Sequence, residues 1–405
     1  MPALPPMDHS AAGDVLPPMS AAPISATEAP NGAAARDFTS PAIRIARVMC
    51  ITGIVYVHAW TGLAGGDIAA ANNSAQGALR WGLIELLGRS AVPLLGMISG
   101  WLVAGSVLRR GYGSFIGGKA RTILAPMVVW NAIAILLVGG AGTLGILMAP
   151  TISSAHWVFD ELFCLWTPDD INVQMSFLRD LFVCMAMAPL IARLPRAALV
   201  AIAVLAAAWS ISGFSFLLLL RPQILLFFTI GMLARRSDAP QRLASAPLLA
   251  LALPYVLLAA AKIGLEISGY ADMAEHRLPM ATLDQIFRLT TALFFWSIAW
   301  RVAQSRLSAP ILKIEPFAFL MFCAHLILIW FGGPFVGNVT GRMGSPLYPA
   351  FLLLQPVLVW IAAIGIGKAL MAVSPAAAKL LSGGRLTAEP RRYRLPRLRP
   401  SPAAS

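Results

Sequence analysis

Apolar residues fill most of the chain in blocks of helical length, and short polar or basic segments separate them. The first block, 43–66, reads IRIARVMCITGIVYVHAWTGLAGG. A helix needs ~20 apolar residues to cross a bilayer, so this block is long enough. Further blocks lie at 81–107, 122–147, 174–192, 197–212, 214–234, 246–266, 283–303, 310–331 and 346–371. With the first block taken as 43–65, they predict an all-α, polytopic transmembrane helix bundle of about ten spans. Gly213 and small neighbours alone separate the fifth block from the sixth. No inverted or parallel internal repeat is visible, although many transporters carry one.

The polar positions inside these blocks carry the chemical information, because ionisable groups in hydrocarbon are costly and usually face a bundle interior or a cavity. Arg47 and His58 stand eleven positions apart in the first block. At ~100° per residue that is three turns plus ~20°, so one helix face presents both, roughly 16 Å apart along the axis. Glu85 and Arg89 are four apart in the second block and can pair with each other. Arg179 and Asp180 are adjacent, and His325 lies in the ninth block. Arg221 and Arg288 sit near block ends, where snorkelling explains them.

The basic residues set the expected orientation. Arg109, Arg110, Lys119 and Arg121 follow the second block, Arg193 and Arg196 the fourth, Arg235, Arg236 and Arg242 the sixth, and Arg301, Arg306 and Lys313 the eighth. These connections fall on one side, while 150–174 carries no Lys or Arg. The positive-inside rule makes both termini cytoplasmic. His58, Glu85, Arg89, Arg179, Asp180 and His325 then gather at an outer level, and Arg47, Lys119 and Arg121 at an inner one.

Composition agrees: 58% of residues are hydrophobic and 12% charged, against ~25% charged in a soluble chain. The formal charge of +13 lies in short loops, which points to topology and anionic lipid and not to nucleic acid. Cys50, Cys164, Cys184 and Cys323 show no paired spacing, so neither a disulfide framework nor a metal site is indicated. Residues 1–40 are rich in Pro, Ala and Ser and read as a disordered cytoplasmic tail without a signal-peptide core. Residues 372–405 return to Pro and Arg and read as a second, basic tail.

Taken in order, the motifs resemble the acyltransferase-3 family of bacterial integral-membrane O-acyltransferases. The family's first span carries Arg, ten residues, then His, here Arg47 to His58. Its second span leads to Ser-Gly, here Ser99 and Gly100 in VPLLGMISGWL. A basic segment then leads to Pro and Trp, here KARTILAPMVVW with Lys119, Arg121, Pro126 and Trp130. The family's Leu-Trp-Phe-Leu is here MSFLRDLF, without the Trp, and its late Leu-rich stretch with a His is here FLMFCAHLILIW with His325. Thr122 stands where the family often has a second basic residue.

The resemblance covers about 41–371 and implies a membrane acyltransferase domain there. It implies transfer of an acyl group, usually acetyl, from cytoplasmic acyl-CoA to a hydroxyl of an exported carbohydrate at the inner membrane. Acyl-CoA is then a co-substrate, and no permanently bound cofactor is expected. Arg47, Lys119 and Arg121 would hold the CoA phosphates. His58 would act as general base or carry the acyl group transiently, with Glu85 or Asp180 orienting it. Arg89 or Ser99 would stabilise the oxyanion, and Arg179 and His325 would complete the outer, sugar-facing level. A transporter or flippase for a sugar-linked lipid or small polar solute is the competing reading, since buried charges and broken helices suit that class too.

Overall fold

Helix follows helix along the chain because hydrocarbon-length apolar segments must satisfy their backbone groups internally. The computed structural model describes residues 38–64, 66–109, 111–167, 170–270 and 273–387, all within one compact unit. The tails expected over 1–40 and 372–405 lie outside the described residues at 1–37 and 388–405. The main elements are α1 Thr39–Val57, α2 Ala75–Leu87, α3 Ala91–Ala104 and α4, which runs Tyr112–Thr143 with π-helical turns at Ala120–Leu124 and Ile135–Gly139. After the short α5 (Ala155–Phe163) come α6 Met175–Ile191, α7 Arg196–Ser212, α8 Gln223–Arg235 and α9 Leu248–Ile267. The series ends with α10 Arg277–Gln304, α11 Ala318–Thr340, α12 Tyr348–Val373 and α13 Pro375–Leu381. Among the described residues there is no β-strand, only an isolated bridge between Phe216 and Leu219.

Among the described residues, seven helical segments are long and apolar enough to cross a membrane: Thr39–Val57, Ala75–Arg109, Tyr112–Thr143, Leu248–Ile267, Ala274–Gln304, Ser308–Thr340 and Tyr348–Val373. The blocks at 174–192, 197–212 and 214–234 instead form the shorter α6, α7 and α8. Helix α8 starts nine residues later than its apolar block, because the intervening loop is stapled to α6. Asp180 accepts from the amides of Leu220 (3.3 Å) and Arg221 (2.7 Å), and Arg179 donates to the carbonyls of Leu217 and Leu218.

Helices α3 and α8 pack backbone to backbone. A Cβ on Gly100 would sit 1.9 Å from the Phe228 carbonyl oxygen, and one on Gly231 would sit 2.0 Å from that of Met97. Small residues let membrane helices approach this way. The glycine at position 100 is therefore explained by packing. Helix α9 shows the opposite face of membrane folding. Leu249, Leu253, Val256 and Leu257 are exposed, while Tyr255, Ala259 and Lys262, spaced four and three apart, turn inward.

The chain beyond α12 folds back as α13. Trp130 Nε1 donates to the Leu381 carbonyl (2.9 Å), and the Arg385 guanidinium stacks 3.9 Å over Phe319. Gly383 takes φ +60°, and a Cβ there would meet the Thr122 carbonyl at 2.4 Å. Part of the expected basic tail is thus an ordered, packed strap up to 387.

Candidate active site

His58 is where α1 ends. It is the C-cap, at φ −109° and ψ 12°, so the helix stops well short of residue 65. Two groups of α12 hold the chain that follows: Gln355 Oε1 accepts from the Trp60 amide (2.9 Å), and Tyr348 donates to the Trp60 carbonyl (3.0 Å). The Trp60 ring fits against Gly333 and Gly337 of α11, where any Cβ would collide with it. His58 is thereby placed at a helix end, where it lines a cavity of about 350 Å³.

That chamber is lined by His58, Arg89, Gln174, Arg221, Gln223 and Arg288, with Phe177, Phe322 and aliphatic side chains between them. Each arginine is held. Arg89 donates to Glu85 (3.0 Å), which is fully buried. Arg221 donates to the Val173 carbonyl (3.1 Å), and its backbone is fixed by Asp180. Arg288 pairs with Asp284, one turn earlier. Glu85 in turn accepts from Lys262 (3.0 Å), which also lies 3.1 Å from Asp284. A fixed set of guanidiniums around a histidine is an arrangement able to stabilise developing negative charge.

His325 lies directly behind His58, fully buried, with ring centroids 5.5 Å apart. Its Nδ1 faces the Phe322 carbonyl at 2.7 Å. A carbonyl only accepts, so Nδ1 carries the proton and Nε2 is left as an acceptor. Nε2 has no hydrogen-bond partner, nor has Oε1 of the neighbouring Gln174. The other end of that amide is occupied. Gln174 Nε2 donates to Asn172 Oδ1 (3.0 Å) and the Cys323 carbonyl (3.4 Å), and Asn172 reaches Asn131 Oδ1 (3.4 Å). This buried amide ladder begins beside the C-terminal end of α5. There Asp160 accepts from Thr167 and from the Leu165 and Trp166 amides. Burial opposes the Asp160 charge, but those bonds outweigh it and lower its pKa, whereas burial raises that of Glu161.

Of the residues singled out by sequence, His58, Arg89 and His325 come together. Glu85, Arg179 and Asp180 stand one step back: Glu85 fixes Arg89, and Asp180 with Arg179 fixes the loop that carries Arg221. Ser99 does not line the chamber. Arg47, Lys119 and Arg121 lie towards the other end of the bundle. Arg47 shares Glu315 with Arg44, at 3.5 Å and 2.8 Å, and Lys119 sits 5.6 Å from the Phe115 ring centroid. Sequence reasoning missed Lys262 and Asp284, although each is ionisable within an apolar block. It assigned Arg221 and Arg288 to snorkelling, whereas both face the chamber. Gln174 and Gln223 carry no charge and gave no signal. Among the described residues no cluster of His, Cys, Asp and Glu suited to a metal ion occurs.

The acyltransferase domain that defines the acyltransferase-3 family matches residues 40–372. The chain is 27% identical over 378 residues to the succinoglycan biosynthesis protein ExoH of Rhizobium meliloti, covering 86% of this chain and 94% of that protein. No solved structure matches. With the family's domain running from α1 into α12, the chain belongs to the acyltransferase-3 family.

Proposed function

We propose that this acyltransferase moves an acyl group, acetyl in the simplest case, from cytoplasmic acyl-CoA to a hydroxyl of an exported or cell-surface carbohydrate. The observation that carries the reading is His58, held at a helix end in a chamber ringed by Arg89, Arg221 and Arg288. The relative named for succinoglycan biosynthesis supports a carbohydrate acceptor. The same proposal has the protein in a bacterial inner membrane with both termini cytoplasmic and lipid against α9, the short α6, α7 and α8 crossing as well, for ten passages. The clustering of Arg109, Lys119, Arg121, Arg193, Arg235 and Arg301 in alternate connections supports that orientation.

In this account the inner cations Arg47, Lys119 and Arg121 engage the phosphates of acyl-CoA, and its flexible arm carries the thioester along α1. The sugar hydroxyl enters from the outer side. His58 removes its proton as the oxygen attacks the thioester carbonyl. Negative charge develops on the carbonyl oxygen, where the guanidinium of Arg89 or Arg221 receives it. The carbon–sulfur bond then breaks, CoA leaves as thiolate, and the proton on His58 passes to it or to water. Glu85, Asp180 and Arg179 hold the arginines that do this. His325 backs the His58 ring.

The test is the ester-linked acyl content of surface polysaccharide in wild type, a deletion strain, and the deletion complemented with His58→Ala. The reading expects the ester to vanish in both mutants. An ester that persists in the deletion contradicts it.

A further inference from the structure

We propose that a second cavity, between the C-terminal end of α9 and the N-terminal end of α10, is a subsite for a neighbouring, uncharged sugar of the acceptor. The substrate would then be a glycan of at least two sugars, not a single sugar. The proposal rests on the acyl-transfer reading above. The cavity measures about 540 Å³ and is lined by Arg89, Lys262, Glu266, Arg277, Asp284 and Arg288, with Met273 and Met280 beside them. Small-ligand sites run from ~300 to 1,000 Å³. Arg89 and Arg288 line both this cavity and the His58 chamber. A chain lying across those two guanidiniums would present one unit to His58 and leave the next in the second cavity.

The wall chemistry selects the ligand class. Arg89 and Lys262 are engaged by Glu85, and Lys262 and Arg288 by Asp284, which leaves Glu266 and Arg277, one charge of each sign, as the less engaged groups of the lining. A neutral polyol suits both, donating its hydroxyls to the carboxylates and accepting from the guanidiniums, with its C–H face against the methionines. Acceptor capacity is present: Glu266 Oε1 lies 4.0 Å from Lys262, beyond hydrogen-bond reach. The network is also expensive where it stands. Lys262 is 3% exposed on a helix whose other faces are apolar, and Glu85 Oε2 has no hydrogen-bond partner. Hydrophobic residues in place of such a buried ion cluster are often neutral or stabilising. A polar ligand at its edge gives the cluster a use that stability does not.

The experiment uses full-length protein in liposomes with labelled acetyl-CoA. The acceptor is the producing strain's surface polysaccharide, stripped of esters by base and cut by mild acid into single sugars and longer fragments. Wild type should show kcat/KM at least ~tenfold higher for the longer fragments than for single sugars. Glu266→Gln with Arg277→Ala, both at the cavity rim, should remove most of that preference by raising KM for the longer fragments. Equal kcat/KM on single sugars and longer fragments in wild type, or a preference unchanged in the double variant, overturns the subsite and leaves acyl transfer standing. Transfer to no fragment overturns both.

Discussion

The two ends of the bundle use the same residue type differently. At the His58 end the cations are immobilised: the side chains of Lys262, Arg179 and Arg288 are 3%, 9% and 11% exposed, and each is tied to a carboxylate. At the other end Arg44 and Arg47 share the single carboxylate of Glu315, and the Arg47 side chain is 32% exposed. A rigid, carboxylate-braced set of guanidiniums offers a preorganised field to a transition state. Cations that share one carboxylate, one of them a third exposed, suit a charged partner that arrives and leaves. Under the proposed function, that difference would separate reaction from donor capture along one helix, with His58 capping α1 and Arg47 nearer its start.

The sharpest break in that contrast is His58→Ala, which should lower kcat by ~10²- to 10⁴-fold, the usual worth of a general base, in a protein that still folds. Activity within twofold of wild type would remove His58 from the chemistry. Next is Lys262→Met. It leaves Glu85 buried beside fewer cations and should cost ~3–5 kcal/mol, seen as earlier thermal unfolding in detergent. Adding Glu85→Gln should restore much of that, and no recovery would mean the pair is not coupled. Gln174→Leu leaves the Asn172 and Cys323 acceptors without their donor. It should cost ~1–3 kcal/mol of stability or transition-state binding, read from kcat/KM and unfolding together.

At the opposite end Arg47→Ala should raise KM for acyl-CoA by about tenfold with kcat little changed, the pattern of lost ground-state binding. A fall in kcat with KM unchanged would move Arg47 into the chemistry. The smallest effect is expected at the C-terminal end of α5 and the loop it caps. Asp160 has a folded pKa below its unfolded value, so its contribution is present above the unfolded pKa and lost as pH falls through the folded one. Asp160→Asn should remove ~1 kcal/mol at neutral pH and flatten acid sensitivity, as read by proteolysis of the loop.

The all-helical fold was legible because each span announces itself as an apolar block, whatever it packs against. Helix ends were not. α1 stops at Val57 because Gln355 and Tyr348, nearly three hundred residues later, take the next backbone groups. α8 starts at Gln223 because Asp180 claims the amides before it. The site was half legible. His58, Arg89 and His325 stand out as ionisable groups in hydrocarbon. The partner of Glu85, Lys262, is 177 positions away, and spacing along one helix cannot reveal it. The Gln174 amide is neutral, so its burial costs too little to mark it in a sequence.

In the proposed function, donor and acceptor are handled at opposite ends. The direct measurement is acyl transfer in proteoliposomes of defined orientation, with labelled acetyl-CoA sealed inside or added outside, and de-esterified polysaccharide always outside. The account predicts ester on the polysaccharide only when the acetyl-CoA is on the cytoplasmic side and the polysaccharide on the other, with none for His58→Ala. Equal labelling with both substrates on one side would contradict it.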